Sequence, residues 1–286
     1  MYYRTLLRPF KKHVSDIGYA LGTQGMLVRC TAEFLQFCRD RQTTYHDRTS
    51  VLSFYEHLHL RPSKHGGRLS AMMIHHTMYS LRVFFGWLEG TGQTGSNPMN
   101  VLVFPNPGRN TRPPFSQGEM QKLFDAAVTD RETAVLHLLY SCGLRRSEAV
   151  ALNAGDVYYG VNLVVVRSGK GARRRSVPVT DRVKEALRAY HNSRTPETDN
   201  RSDSPYMLNN HNTRMHGEGY DRTLKLLAER AGLRKAVSPH VLRHSIATHL
   251  LENGCGIEYV RDFLGHRHLE TTQGYTNVSQ WQIAKL

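Results

Sequence analysis

The sequence predicts a mainly α protein of two domains: a small helical bundle, then a mixed α+β domain that is mostly helix with one small antiparallel sheet. Three observations predict it. The length of 286 residues suits about two domains. The stretch "VFPNPGRNTRPPF", Val103 to Phe115, puts four prolines, a glycine and two asparagines into thirteen residues; this excludes helix and strand interiors and reads as an extended linker. Before it the apolar period is helical, and after it helical segments are interrupted once by β-branched runs. The boundaries that follow are 1–103 for the first domain, 104–114 for the linker and 115–286 for the second domain.

In the first domain three segments carry helical periodicity. "QGMLVRCTAEFLQFCRDR" places Leu27, Cys30, Phe34, Phe37 and Cys38 along one stripe. "SVLSFYEHLHL" is a shorter amphipathic run. "SAMMIHHTMYSLRVFFGWLEG" starts at a suitable N-cap, Ser70, and stops at Gly90; its Phe84, Phe85, Trp87 and Leu88 are expected in the bundle core. After the linker, Ser116 and Glu119 form the pattern of a capping box. "RETAVLHLLYSCG" reads as a buried helix ending at Gly143. "VNLVVVR" and "RRSVPV", separated by "SGKGAR", predict a hairpin with glycines at its turn. Helical patterns resume at "DRVKEALRAYH", "YDRTLKLLAERAG", "PHVLRHSIATHLLENG" and "IEYVRDFLG", with "NSRTPETDNRSDS" as a polar surface loop between them.

Charge points to a polyanion. Up to Phe104 there are 12 basic and 6 acidic residues, and the remainder holds 26 and 18. Both domains are therefore basic in their own right, as expected of two bodies that hold double-stranded DNA between them. The apolar runs are too short to cross a bilayer, and "MYYRTLLRPFKKHVSD" interrupts its apolar residues with Arg and Lys, unlike a secretory signal. A cytoplasmic protein with no membrane partner is expected. Cys30, Cys38, Cys142 and Cys255 show no ligand spacing and sit among apolar neighbours, as buried free thiols do.

Several short patterns could carry chemistry. In "SPHVLRHS", Ser238 as N-cap and Pro239 at the first helical position fix a helix start, so His240 and Arg243 share a face where backbone N–H groups favour an anion. In "SCGLRRSEAVAL", Arg145 follows a helix stop with Glu148 three residues on. "RSGKGARRRSVPV" sets Lys170 at a hairpin tip, with Arg173, Arg174 and Arg175 beyond it as candidate DNA contacts. Each has a plainer reading: a solvated helix face, a local ion pair of small worth, a basic edge that discourages sheet aggregation. Near the chain end "LGHRHLETTQGYT" places His266 and Tyr275 in a polar setting. His266 and His268 lack the Cys or carboxylate partners of a zinc site, so no metal is expected.

Taken in order, Gly143–Glu148 as GLRxSE, Gly169–Gly171 as GKG, His240–Arg243 as HxxR, Leu264–His266 as LGH and Thr271–Thr276 as TTQxYT resemble the tyrosine recombinases of the phage-integrase family. The resemblance is close from Arg112 onward; for the first domain it covers only the helical character and size of the family's SAM-like core-binding bundle. It implies a tyrosine recombinase catalytic fold in the second domain, and a site-specific recombinase that cuts and rejoins DNA through a covalent 3′-phosphotyrosine, without metal, ATP or another cofactor. It also implies a role for each residue. Tyr275 would be the nucleophile. Arg145 and Arg243 would clamp the scissile phosphate, and His240 would handle the tyrosine proton. His266 would hydrogen-bond a non-bridging oxygen, Lys170 would protonate the leaving 5′ oxygen, and Glu148 would orient its neighbours.

These roles are chemically coherent. A phenol with a pKa near ~10 needs help to lose its proton. Charge that builds on the phosphate oxygens is best met by preorganised donors, and two guanidinium forks supply them. The compact Xer-like form implies a homotetramer on paired sites, and an accessory regulatory protein is compatible with it. Gly274 departs from the bulkier residue usual before the tyrosine. Only 11 residues follow Tyr275; among them Trp281, Ala284 and Leu286 could dock on a neighbour or end in a frayed tail. Two other readings share much of this sequence: a type IB topoisomerase-like enzyme that nicks and rejoins DNA, and a cleavage-deficient DNA-binding regulator.

Overall fold

The computed structural model describes residues 2–63, 66–108, 113–167, 174–194 and 202–265. The chain divides into two compact units, Met1–Thr111 and Arg112–Leu286. None of the described helices is long and apolar enough to cross a membrane.

Among its described residues the first unit holds four helices: α1 (Tyr2–Asp16), α2 (Leu21–Asp40), α3 (Arg48–Leu60) and α4 (Ala71–Gly90). The sequence predicts α2, α3 and α4; α1 is a further helix. Its signal is nonetheless present, because Leu6, Phe10 and Val14 recur at intervals of four and are all buried; Pro9, inside the helix, lies on the exposed side. The core is aromatic. Phe10, Phe34, Phe54, Phe84 and Phe85 have no exposed surface, and they meet in edge-on or tilted pairs such as Phe10–Phe84 at 5.2 Å and Phe34–Phe54 at 5.2 Å. Leu27, Cys30, Phe34, Phe37 and Cys38 are buried along one face of α2, as their spacing requires. Ser70 accepts a hydrogen bond from Met73 N at the start of α4.

The second unit begins with α5 (Gln117–Asp125) and α6 (Asp130–Leu136), each opened by a capping box, Ser116 with Glu119 and Thr129 with Glu132. The helix expected to run unbroken to Gly143 instead widens into a π-helical turn at His137–Ser141, where Cys142 N reaches back to His137 O at 2.8 Å. Then come α7 (Arg146–Ala151), a 3-10 turn (Ala154–Asp156), β1 (Val157–Tyr158), β2 (Leu163–Arg167), β3 (Arg174–Pro178), α8 (Asp181–Asn192), α9 (Gly217–Arg230), α10 (Pro239–Glu252) and α11 (Ile257–Leu264).

The strands form one antiparallel sheet in the order β1-β2-β3. Cross-strand pairing of Val164 with Val177 and Val166 with Arg175 puts these four side chains on one face. That face is buried, since successive side chains of a strand alternate. The helical core gathers Leu136, Leu138, Leu139, Leu224, Leu227 and Leu242, all fully buried. Two polar ties position α9 and α10: Tyr220 Oη donates to Ala149 O at 2.9 Å, and Ser245 Oγ accepts from Phe115 N at 2.8 Å. The four cysteines are free and buried.

Candidate active site

The site is built where α11 ends. The last carbonyls of a helix have no partner within it and carry the negative end of the helix dipole. Here the last two, and the carbonyl of the capping residue after them, each receive a guanidinium: Phe263 O accepts from Arg175 Nε at 3.1 Å, Leu264 O from Arg243 Nη2, and Gly265 O from Arg145 Nη2 at 3.3 Å. The chain turns at Gly265 with φ of +65°, a left-handed conformation that favours glycine. A Cβ there would stand 2.9 Å from Arg175 Cδ, so glycine also admits the arginine stem.

A second glycine completes the frame. Gly143 ends the π turn's segment at φ +58°, and a Cβ on it would stand 2.9 Å from Leu264 Cδ2. Its carbonyl accepts from Arg243 Nη1. Arg243, in the second turn of α10, is thus held between the π turn's exit and the end of α11, and it is 5% exposed. Ser238 and Pro239 set the start of that helix: Ser238 Oγ accepts from Val241 N at 3.4 Å, with Pro239 in the first turn.

Glu148 is the hub. Its backbone belongs to the first turn of α7, and it caps that helix by accepting from Arg145 N at 2.8 Å. Its Oε1 receives Arg145 Nη1 at 2.6 Å and Arg175 Nη1 at 2.8 Å. Its Oε2 receives Arg175 Nη2 at 2.9 Å and stands 3.7 Å from Arg243 Nη1. Burial alone would raise this carboxyl's pKa, but the hydrogen bonds and charge of Arg175, then those from Arg145, outweigh it and hold it down at about 2.

Three guanidinium groups surround this single carboxylate, so the cluster carries a net positive charge. Burial first, then the charges of Arg145 and Arg175, push Arg243 down to about 9 against the pull of Glu148. It remains a cation at neutral pH, in a cluster short of negative charge. Arg145, with 37% of its side chain exposed, presents the open edge. With N–H donors left over on Arg145 and Arg243, the arrangement can hold an anion such as a phosphodiester by paired hydrogen bonds.

The residues singled out from sequence distribute as follows. Arg145 and Glu148, from the start of α7, come together with Arg243 from α10. His240 lies on the exposed face of the first turn of α10 and bonds to none of the described residues. Arg174 is exposed. Lys170, Arg173, His266 and Tyr275 lie outside the described residues.

Arg175 requires a correction. The sequence predicts that it faces DNA beside Arg173 and Arg174, but it is 9% exposed, and all three of its guanidinium nitrogens point inward to Glu148 and Phe263 O. The sequence held the clue: in "RRSVPV" Arg175 is in phase with Val177 and Val179, the buried side of a period-two strand.

Comparison with known proteins supplies independent findings. Residues 115–281 match the Phage integrase family. The chain is 32% identical to the tyrosine recombinase XerD of Oceanobacillus iheyensis over 277 residues, 93% of this chain and 91% of that one. To the tyrosine recombinase XerC of Erythrobacter litoralis it is 36% identical over 217 residues, 72% of this chain and 69% of the other. The crystal structure of residues 75–356 of lambda integrase bound to DNA superposes with a TM-score of 0.73 at 14% identity, covering 96% of this chain and 95% of that one; at this identity the likeness is one of fold.

Proposed function

The chain belongs to the phage integrase family and is a site-specific tyrosine recombinase, and from that premise we propose that Arg145 and Arg243 form the clamp on which it cuts and rejoins double-stranded DNA. The observation that carries this reading is the meeting of Arg145, Glu148 and Arg243 in one cluster with a net positive charge.

In the proposed reaction the phenolic oxygen of Tyr275 attacks phosphorus, with its proton passing to His240. The bond from phosphorus to the 5′ oxygen breaks, and that oxygen takes a proton from Lys170. A 3′-phosphotyrosine and a free 5′-hydroxyl result. Negative charge rises on the two non-bridging oxygens as the attack proceeds. Donors already fixed around them by helix ends need no reorganisation at that moment, which is the most effective form of electrostatic catalysis. His266 would add one further hydrogen bond there. The phosphotyrosyl ester conserves the energy of the broken bond, so a 5′-hydroxyl from a partner duplex reverses the step with no nucleotide consumed.

Recombination of two duplexes calls for four cleavages, so a homotetramer on paired sites, acting in the cytoplasm, suits the chemistry, with room for an accessory regulatory protein. The hairpin arginines Arg173 and Arg174 would contact the DNA backbone.

The test is covalent capture. The protein is incubated with duplexes of randomised sequence nicked on one strand, so that the short 5′-hydroxyl product diffuses away. A protein–DNA adduct that survives denaturant, persists in EDTA and is lost in Tyr275→Phe is expected. Absence of any adduct from the wild-type protein, or one undiminished in Tyr275→Phe, would overturn the reading.

A further inference from the structure

Arg175 stands apart from the other two arginines. Its guanidinium faces Glu148 edge to edge, Nη1 to Oε1 at 2.8 Å and Nη2 to Oε2 at 2.9 Å, while Nε holds Phe263 O at 3.1 Å. Both side chains are under a tenth exposed. All three nitrogens of this guanidinium are turned inward and under a tenth of the side chain is exposed, so it faces the carboxylate rather than a substrate, yet it sits among the groups that would grip one. We propose that Arg175 is a positioning residue that occupies the Glu148 carboxylate and so leaves Arg145 and Arg243 open to the scissile phosphate, an inference that rests on the recombinase reading above.

The argument is one of competition. A buried carboxylate must be paired, and the next cation within reach of Glu148 is Arg243, whose Nη1 is already 3.7 Å from Oε2. Remove Arg175, and Glu148 is drawn onto Arg243 and more fully onto Arg145, competing for the donors the phosphate needs. The charge count agrees. With Arg175 the cluster holds three cations and one anion; without it, two cations share the one carboxylate, so less positive charge is left free where the reacting phosphate gains negative charge.

Geometry adds a second consequence. The stem of Arg175 packs on Gly265, and its Nε anchors Phe263 O. The same turn offers Leu264 O to Arg243 and Gly265 O to Arg145. One residue of β3 therefore sets both the carboxylate and the carbonyl row against which the clamp is aligned. That strand follows Lys170 in the sequence, so the segment carrying the proposed general acid and the segment aligning the clamp are covalently continuous.

The experiment uses the full chain and a duplex recovered as a covalent adduct by the wild-type protein from the randomised nicked pool, with single-turnover cleavage and DNA affinity measured separately. Arg175→Gln should slow cleavage by about 10- to 100-fold, the range typical when a group orienting a reactive residue is lost, with affinity for the duplex nearly unchanged. Adding Glu148→Gln to that variant should restore much of the rate, because no freed carboxylate then competes for the clamp. If Arg175 served only to hold the fold, the double variant would be no faster than Arg175→Gln. That outcome, or an unimpaired Arg175→Gln, overturns the inference. Should Arg175→Gln not fold, Arg175→Lys, which keeps the charge but reaches only one carboxylate oxygen, decides in the same way: a rate loss recovered by Glu148→Gln supports the inference, and no loss or no recovery overturns it. Wild-type cleavage of the recovered duplex stands or falls by itself, so failure of the recombinase reading is distinguishable from failure of this one.

Discussion

The hydroxyl of Tyr140 lies 2.8 Å from Nδ1 of His249, a hydrogen bond between two buried side chains 109 positions apart. Tyr140 belongs to the π turn, and His249 lies on α10 six residues beyond Arg243. The bond therefore ties together the two elements that grip Arg243, one through the carbonyl of Gly143 and the other through the helix that carries it. Burial raises the Tyr140 hydroxyl to about 12, so it remains protonated across the working pH range and can act as the donor.

Tyr140→Phe should strand a buried imidazole nitrogen. Leaving a buried polar group unpaired costs about 1–3 kcal/mol, and in a protein of this size each kcal/mol shifts the melting temperature by about 2–4 °C. A thermal melt of the variant is expected to show such a fall. An unchanged melting temperature would mean that the hydroxyl contributes nothing to holding α10.

Arg243→Ala should separate chemistry from binding. The side chain is 5% exposed, so it can contribute little to a DNA-facing surface, whereas its guanidinium is held in the cluster by two backbone carbonyls beside Glu148. Loss of one preorganised donor to a developing oxyanion typically costs about 100- to 1,000-fold in rate. Single-turnover cleavage of an adduct-selected duplex should fall by at least that much while the gel-shift affinity is held. A collapse of affinity instead would make Arg243 a docking residue.

How much of this was legible beforehand depended on the range of each interaction. The caps at Ser70, Ser116 and Ser238 and the stop at Gly143 are local: side-chain oxygens and a left-handed φ act within three or four residues, so their spacing shows. The π turn did not show, because Leu138 and Leu139 are buried whether the helix is wound at one pitch or the other, and only the partners of Tyr140 and Gly143 reveal the difference. Arg145 with Glu148 could be seen as a pair, but not as half of a four-residue cluster, since Arg175 enters from 27 positions away and Arg243 from nearly a hundred. The carbonyl row at Phe263, Leu264 and Gly265 is invisible to any reading of side-chain types, because the groups are backbone. The α1 stripe and the inward phase of Arg175 are both present in the pattern, but basic residues on either side mask them.

Acid should probe Glu148. Its folded pKa is about 2 against an ordinary value of 4.5, so the unfolded chain binds the extra proton as pH falls. The stabilisation is complete above the ordinary value and is lost on descending toward 2, on the order of 3 kcal/mol at about 1.4 kcal/mol per unit. Buried His137, pushed down to about 4 by burial and then by the charge of Arg182, gives up its share at higher pH, between its ordinary value and 4. The Glu148 contribution is therefore read below pH 4: there the melting temperature of the wild-type protein should fall more steeply than that of Glu148→Gln. Parallel slopes would show that the carboxylate is not ionised in the cluster.

The arginine cluster should itself be a stability sensor for anions. Three guanidinium groups face one carboxylate, so the unliganded cluster bears uncompensated repulsion that a small oxyanion would relieve. A ligand that binds only the folded state at about ten times its dissociation constant adds roughly 1.4 kcal/mol, so inorganic phosphate should raise the melting temperature saturably. Exclusion of salt from the surface also stabilises proteins, but without saturation and regardless of the cluster. The discriminating comparison is Arg243→Ala, in which the saturable part should vanish and only the linear rise remain. An equal saturable rise in both proteins would place the anion elsewhere and remove the cluster as the phosphate clamp.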